Sequence, residues 1–135
     1  MSKRSTRQKR AIERVFEAAQ GPLAARDLVQ RALALGTKIS LATVYRIVSE
    51  GVQNGILTVV RLEDNVARYE RADQHHHHHF LCERCEQVFD IAIPCELVAH
   101  HVPAQFSMSR HEITLYGHCK ECEPGPTQRD EALHS

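Results

Sequence analysis

Two Cys-x-x-Cys pairs and a run of histidines are the residues of this chain best suited to chemistry. The pairs are Cys82 with Cys85 and Cys119 with Cys122, and five consecutive histidines at 75–79 stand just before the first pair. Four thiolates form the complete tetrahedral ligand set of a structural zinc ion. The histidines are then available for a second, exchangeable metal. One permanent metal and one exchangeable metal together are typical of a metal sensor.

Disulfide and catalytic roles fit the cysteine pairs less well. The chain begins Met-Ser-Lys-Arg-Ser-Thr without the apolar stretch of a signal peptide, and no apolar run reaches the roughly 20 residues of a membrane span. We therefore expect a cytoplasmic protein with no membrane partner, in which paired thiols are metal ligands. A zinc enzyme needs an open coordination position, whereas four thiolates close the site. We expect neither enzymatic activity nor a small-molecule substrate.

The fifth cysteine, Cys95, stands apart from the pairs. It is a lone thiol between Pro94 and Glu96. We expect it to be a buried packing residue, with a role as a further metal ligand or a redox group as the alternative.

The histidine run predicts two metal sites rather than one. In an extended strand, successive side chains point to opposite faces, so His75, His77 and His79 would lie on one side and His76 and His78 on the other. Additional imidazole and carboxylate ligands are available at Glu70, Glu96, His100, His101, His111 and His118. Mixed ligation of this kind suits zinc, ferrous iron, manganese or nickel. A solvated low-complexity stretch is the alternative interpretation.

The two halves of the chain have opposite charge, although the formal net charge of the whole is +0. Residues 1–68 contain twelve Lys and Arg against six Asp and Glu, and the remaining residues contain five against eleven. This asymmetry favours a front half that faces nucleic acid and a back half that attracts cations. Local scatter of charge is the alternative.

The front half predicts three helices. Apolar residues recur at helical spacing in three segments, which end at Gly21-Pro22, at Gly36 and near Asn54-Gly55. Leu28, Ala32 and Leu35 mark the second helix. Ser40 is placed to cap the N-terminus of the third helix.

A β-hairpin with a turn at 63–65 is expected after the third helix. Three helices and a hairpin make a winged helix-turn-helix, in which the last helix enters the DNA major groove and flanking basic residues hold phosphates. The start of the third helix offers Thr43, Tyr45 and Arg46 for this contact. The alternatives are that Tyr45 and Arg46 cap a solvated helix face and that the basic N-terminus is a disordered tail.

The back half predicts a small sheet with one short helix. Strands are expected at 80–82, 88–91 and 111–117, and a helix from 96 to about 101 is expected to begin after Pro94. A sheet of this size has little core, so zinc held by the two cysteine pairs would contribute folding energy directly. The whole chain is therefore predicted to belong to the α+β class.

These motifs together resemble the ferric uptake regulator (Fur) family over about Ser5 to Cys122. The resemblance is carried by Ile-Ser-Leu-Ala-Thr-Val-Tyr-Arg at 39–46, Tyr69-Glu70, the histidines followed by Phe-Leu-Cys-x-x-Cys, and Leu-Tyr-Gly-His-Cys-x-x-Cys at 115–122. It implies a homodimeric bacterial transcription factor that binds a double-stranded DNA operator. Most members of the family repress transcription when their regulatory metal is bound.

The resemblance also implies a division into domains. A winged-helix DNA-binding domain is expected at 1–70, a hinge at 71–74, and a small α/β metal-binding dimerisation domain at 75–122. The remaining residues, 123–135, have a composition that predicts a disordered tail.

By position, the resemblance assigns residues to three metal sites and one DNA contact. The structural zinc site takes Cys82, Cys85, Cys119 and Cys122. The regulatory hinge site takes Glu70, His77 and His79. An additional site in the dimerisation domain takes His76, His78, Glu96 and His111. The recognition helix carries Thr43, Tyr45 and Arg46.

The chain departs from the family pattern at the hinge site. Iron, manganese and peroxide sensors commonly supply another histidine near the start of the second helix, where this chain has Gly-Pro-Leu-Ala-Ala at 21–25. Ala72 stands where many zinc-sensing members have a cysteine. The remaining ligand is expected to be water, a side chain such as Asp64 or Asp73, or absent.

The metal preference predicted from this pattern is zinc. An iron-, manganese- or peroxide-responsive regulator, with Fe²⁺ as the leading alternative metal, is the second interpretation. A haem-responsive regulator that uses the histidine run is the alternative of a different class.

Overall fold

The computed structural model describes residues 3–73 and 77–123. The chain divides into two compact units, Met1–His76 and His77–Ser135. Each unit combines helix with a three-stranded sheet, which confirms the predicted α+β class. The finer bounds of the domains and the hinge at 71–74 stay predictions. Among the residues that the structure describes, none of the helices has the length and apolar character of a membrane span.

The first unit consists of three helices and a small antiparallel sheet. Its elements are α1 (Lys3–Ala18), β1 (Leu23–Ala24), α2 (Ala25–Ala34), α3 (Leu41–Gln53), β2 (Leu57–Arg61) and β3 (Ala67–Arg71). The strand order is β1-β3-β2, and β2 and β3 form the predicted hairpin. Because α1 begins at Lys3, the basic residues from that position lie on a helix and not in a disordered tail.

The apolar faces of the three helices meet in one core. The residues buried in it are Ala11, Ile12, Val15, Phe16, Leu23, Ala25, Leu28, Ala32, Ile39, Val44, Val48, Leu57 and Tyr69. Of the residues that mark the second helix in the sequence, Leu28 and Ala32 lie in this core, whereas Leu35 is 44 % exposed. The reason is that α2 ends at Ala34, so Leu35 is its C-cap residue and no longer follows the buried face.

Helix α3 begins and ends at residues suited to those positions. The Ser40 hydroxyl accepts a hydrogen bond from the Thr43 backbone N–H at 3.1 Å, which confirms the predicted N-cap. At the other end, Gly55 has a φ of +73°, a left-handed conformation that glycine adopts without steric cost. Val44 and Val48 are fully buried on the inner face, so Tyr45 and Arg46 face outward.

The second unit is a smaller sheet with one short helix. Its elements are β4 (His78–Cys82), β5 (Val88–Ile91), α4 (Cys95–Ala99) and β6 (Thr114–Gly117). β4 lies in the centre, antiparallel to β5 and parallel to β6. The three strands lie within or overlap the predicted ranges, and α4 starts directly after Pro94, one residue earlier than predicted.

Candidate metal centres

The four paired cysteines meet at one edge of the second sheet, in what we term the thiolate site. Cys82 ends β4 and Cys119 follows β6; because these strands are parallel, with Cys82 opposite Gly117, their carboxyl ends bring both pairs together. All four sulfur atoms lie within 4.8 Å of one another, and Cys85 Sγ lies 3.8 Å from Cys119 Sγ. A tetrahedron with zinc–sulfur bonds of about 2.3 Å has edges of about 3.8 Å. The thiolate site therefore fits a zinc ion.

The protonation of the thiolate site also favours a cation. Burial raises the pKa of Cys82, but backbone N–H groups outweigh it and lower that pKa to about 6. Two of these N–H groups belong to Cys85 and Cys119, whose nitrogens lie 3.5 and 3.4 Å from Cys82 Sγ. The neighbouring Cys119 thiol in turn raises the pKa of Cys122 to about 12. Full ionisation of the four thiols near neutral pH therefore needs a cation such as Zn²⁺ to offset their charge.

A second group of ligands, which we term the His–Asp site, lies where β4 begins beside β5. It consists of His77, His79 and Asp90, whose ligand atoms lie within 4.8 Å of one another. His77 Nε2 is 2.8 Å and His79 Nε2 is 3.5 Å from the same oxygen, Asp90 Oδ1. The antiparallel register places His79 directly opposite Asp90. Two imidazoles and one carboxylate suit zinc, ferrous iron or manganese and leave coordination positions open.

The other predicted contributors to the hinge site lie in the first unit. Glu70 is half-buried on β3, opposite Thr58 of β2, and its place in the ligand set stays a prediction. Asp64 is engaged elsewhere, because both of its carboxylate oxygens accept hydrogen bonds from the Arg68 guanidinium at 3.0 and 2.8 Å. These bonds lower the pKa of Asp64 below its ordinary value of 3.8, against the opposing effect of burial. Asp64 therefore belongs to the turn at 63–65 between β2 and β3, which we term the wing turn.

A third group, which we term the His–Cys site, lies on the face of β4 opposite to that of His79. His78, Cys95 and His111 place their ligand atoms within 4.8 Å of one another. His78 and His111 are two members of the predicted additional site, but the predicted carboxylate, Glu96, is not part of this group within the described ranges. The fourth predicted member, His76, lies outside the described residues.

The prediction that Cys95 is a buried packing residue was wrong, since Cys95 is exposed. It is the first residue of α4, at the surface of the second unit, where it has little core to pack against. Among the described residues, the ligand group around the two histidines contains the Cys95 thiol and does not contain the Glu96 carboxylate.

The predicted DNA-contacting residues lie in the first two turns of α3. Tyr45 is 48 % exposed, Arg46 is exposed and Thr43 is half-buried. A separate groove of about 500 Å³ along α1 is lined by cations of one helix face together with small and apolar residues: Lys3, Thr6, Arg7, Arg10, Ala11, Arg14, Leu35 and Thr37. Four cations along one groove suit the spaced phosphates of a nucleic acid.

One contributor to the metal groups, Asp90, was missed in the sequence, and another, Cys95, was named there only as an alternative. Asp90 becomes a partner of the histidines only through the register of β4 and β5, and the cue was an acidic residue within a strand that neighbours the histidine strand. The sequence favours a packing role for Cys95 over a role as a metal ligand. The available cue was its position at the start of a short helix close in sequence to the metal-binding strands.

Comparison with known proteins gives a consistent result over most of the chain. A model of the ferric uptake regulator family matches residues 1–116. The ferric uptake regulation protein of Escherichia coli (strain K12) is 33 % identical over 131 residues, which cover 90 % of this chain and 84 % of that relative.

Solved structures show the same likeness. A zinc-bound manganese uptake regulator matches with a TM-score of 0.74 at 27 % identity, over 88 % of this chain and 89 % of its own. FurB from M. tuberculosis, a zinc uptake regulator, matches with a TM-score of 0.51 at 29 % identity, over 89 % of this chain and 95 % of its own.

Proposed function

The chain belongs to the ferric uptake regulator family and is a metal-responsive transcriptional regulator; from this premise we propose that it represses metal-homeostasis genes, with zinc as the metal it senses. It would act in the cytoplasm as a homodimer on a double-stranded DNA operator. The observation that supports this function best is the His–Asp site, where two imidazole nitrogens approach one carboxylate oxygen at 2.8 and 3.5 Å.

The thiolate site and the His–Asp site are proposed to have different roles, one structural and one regulatory. The thiolate site supplies four ligands and is closed, so its metal stabilises the fold. The His–Asp site supplies three ligands within the second unit and can accept or release a metal through its open positions. A regulatory metal must exchange with the cell, so the His–Asp site is the proposed sensor.

The family pattern adds Glu70 as a further ligand of the regulatory metal, and we retain this assignment as a proposal from the sequence. A metal held by Glu70 as well as by His77 and His79 would tie the DNA-binding unit to the second unit. It would then favour one spacing of the two recognition helices in a dimer. A metal controls DNA binding only through its different affinity for the two arrangements.

Zinc is proposed over iron because of the ligands that are present and missing. Residues 21–25 provide no histidine of the kind that iron and manganese sensors commonly use there. One similar structure is a zinc uptake regulator. Fe²⁺ is the second candidate, since the relative from E. coli is a ferric uptake regulation protein and a His₂–carboxylate set also binds ferrous iron.

The proposed DNA contacts combine α3 with α1. The outward residues Thr43, Tyr45 and Arg46 are proposed to enter the major groove, and the cationic groove of α1 is proposed to hold phosphates. For the dimer, the second unit exposes apolar side chains that a partner copy could cover, namely Leu97, Phe106, Met108, Leu115 and Tyr116.

The function is tested by operator binding with the metal as the variable. The protein with zinc in its thiolate site alone is titrated anaerobically with Zn²⁺, Fe²⁺, Mn²⁺ or Ni²⁺. Its affinity for the operator is measured at each metal concentration. The regulatory metal should tighten binding by roughly 5–150-fold, the usual range of allosteric coupling. The double variant His77→Ala/His79→Ala should lose this tightening and keep its basal affinity.

A matched double variant, His100→Ala/His101→Ala, serves as the control, because both histidines are exposed and neither belongs to a ligand group of the described residues. It should respond to metal like the unaltered chain. Arg46→Ala should weaken binding at every metal concentration. A double variant at His77 and His79 that still responds fully to metal would reject the His–Asp site as the sensor.

A further inference from the structure

We propose that the His–Cys site is a separate, zinc-selective metal site in which Cys95 supplies a thiolate ligand. His78, Cys95 and His111 come from three different segments: the first residue of β4, the first residue of α4 and the loop before β6. Their ligand atoms nevertheless lie within 4.8 Å of one another. Two imidazoles and a thiol placed this close together form a donor set that is typical of a zinc site.

The two histidines are already oriented as a pair. The His78 ring is 1 % exposed, so its position is fixed by the surrounding second unit. The centroids of the His78 and His111 rings are 5.0 Å apart, with the ring planes tilted by 40°. Two imidazoles at this separation can each direct one nitrogen to a shared ion at about 2.0–2.1 Å.

The site is distinct from the His–Asp site because side chains alternate between the two faces at 77–79, where β4 begins. His77 and His79 lie with Asp90 on one face, and His78 lies with Cys95 and His111 on the other. No residue is shared between the two groups. One strand therefore positions ligands for two metals that can be loaded and measured separately.

The thiolate gives the His–Cys site a different metal preference from the His–Asp site. A Cys₁His₂ set binds Zn²⁺ with three protein ligands and leaves a fourth position open. Soft thiolate ligands favour zinc and cadmium, whereas a carboxylate also suits manganese. At equal free metal, the His–Cys site should therefore discriminate zinc from manganese more strongly than the His–Asp site does.

The competing assignment is that Glu96 completes the site as a carboxylate ligand. The two assignments differ in one measurable property, the number of sulfur atoms bound to the metal. ¹¹³Cd²⁺ is the probe, because its NMR chemical shift reports how many sulfur ligands it has. The full chain is loaded with ¹¹³Cd²⁺ under reducing conditions at neutral pH.

Three ¹¹³Cd resonances are expected from the unaltered chain: a four-sulfur signal, a one-sulfur signal and a signal without sulfur. Cys95→Ser should remove the one-sulfur signal and leave the other two in place. Glu96→Gln, the matched control at the next position, should leave all three unchanged. His111→Ala should also remove the one-sulfur signal, which assigns it to the His–Cys site.

Zinc affinity provides a second readout. Loss of a residue that only hydrogen-bonds to a metal ligand typically weakens metal binding by about 10–100-fold. Loss of the Cys95 thiolate, which would bind the metal directly, should therefore weaken zinc binding at this site by at least about tenfold. The proposal is overturned by the absence of a one-sulfur signal, or by a signal that survives Cys95→Ser and disappears in Glu96→Gln. Neither readout involves DNA, so this result and that of the operator experiment are independent.

Discussion

The two units of this chain contain very different amounts of core. In the first unit, three helices and a hairpin bury a continuous apolar cluster around Leu28, Val44 and Val48. In the described part of the second unit, the buried apolar residues are Leu81, Cys82 and Val88. The comparison indicates that the first unit is folded by its side chains, whereas the second depends on what its cysteines bind.

The free energies of apolar burial and of zinc binding support this difference between the two units. Full burial of one large apolar side chain contributes about 1.5–3 kcal/mol, so two such residues and a cysteine supply only a few kcal/mol to the second unit. Structural zinc contributes roughly 10–16 kcal/mol in small zinc-dependent domains at pH 7. The thiolate site is therefore expected to be the largest single source of stability in the second unit.

The largest predicted effect is the loss of zinc from the thiolate site. The double variant Cys82→Ser/Cys85→Ser, or exhaustive chelation of the unaltered chain, should unfold the second unit and leave α1–α3 folded. Site-resolved amide exchange measures both units in one sample. Amides of β4, β5 and β6 should lose their protection, and amides of α1 and α3 should keep it.

Cys95→Ser is the control for this experiment, because Cys95 lies outside the thiolate site. It should leave the exchange of β4 close to that of the unaltered chain when the thiolate site holds zinc. If β4–β6 kept their protection after complete removal of zinc, the small apolar core would be sufficient to fold the second unit. That result would contradict the conclusion that the second unit depends on zinc.

The sequence predicted the features that depend on local patterns. The spacing of apolar residues gave α1, α2 and α3, Ser40 marked the start of α3, and the two Cys-x-x-Cys pairs indicated the thiolate site. The period of two along an extended strand also separated His77 and His79 from His78, as the structure shows. Each of these patterns arises within one short stretch of the chain, and each cysteine pair is recognisable by itself.

The features that were missed depend on contacts between distant segments. Asp90 joins the histidines because β5 pairs with β4 in one particular register. Cys95 joins His78 and His111 because the fold brings the first residue of α4 close to them. Neither the register of two short strands nor the placement of a five-residue helix can be read from periodicity.

An intermediate effect is expected in the first unit from its wing turn. Arg68 is 2 % exposed and donates two hydrogen bonds to Asp64, which keeps 28 % of its side-chain surface. Asp64→Ala would leave the buried guanidinium without this carboxylate. The first unit should lose about 2–3 kcal/mol, below the roughly 3–5 kcal/mol of a fully buried pair because Asp64 is partly exposed.

Glu63→Ala is the matched control, since Glu63 is the neighbouring exposed acid of the same turn. It should change the free energy of unfolding by no more than about 0.5 kcal/mol. Amide exchange in α1 and α3 measures both variants, and protection in β4–β6 should not change. Equal losses in the two variants would show that the Asp64–Arg68 pair adds nothing beyond the charge of the turn.

The same pair predicts an acid dependence of the first unit. The Arg68 guanidinium holds the pKa of Asp64 below its ordinary value of 3.8 in the folded state. The stabilisation is therefore fully present above pH 3.8 and is lost as the pH falls through the lower folded value. Asp64→Ala should reduce the acid sensitivity of α1 and α3, whereas Glu63→Ala should keep it.

The smallest effect concerns the cap of α3, and it tests whether the stability of the first unit responds to a single local hydrogen bond. The Ser40 hydroxyl accepts from the Thr43 N–H at 3.1 Å, so Ser40→Ala should cost about 1 kcal/mol in the first unit. Ser49→Ala, an exposed serine in the body of the same helix, should instead be neutral or stabilising by up to about 0.5 kcal/mol.

The difference between these two serine variants isolates the cap from the general preference of a helix for alanine. Because Thr43, Tyr45 and Arg46 occupy the first turns of α3, fraying at Ser40 would also loosen the surface proposed to contact DNA. Amide exchange at residues 41–46 should therefore increase in Ser40→Ala and stay unchanged in Ser49→Ala, with or without zinc in the second unit. If exchange at 41–46 followed zinc occupancy instead of the cap, the first unit could not be regarded as stabilised by its own side chains alone.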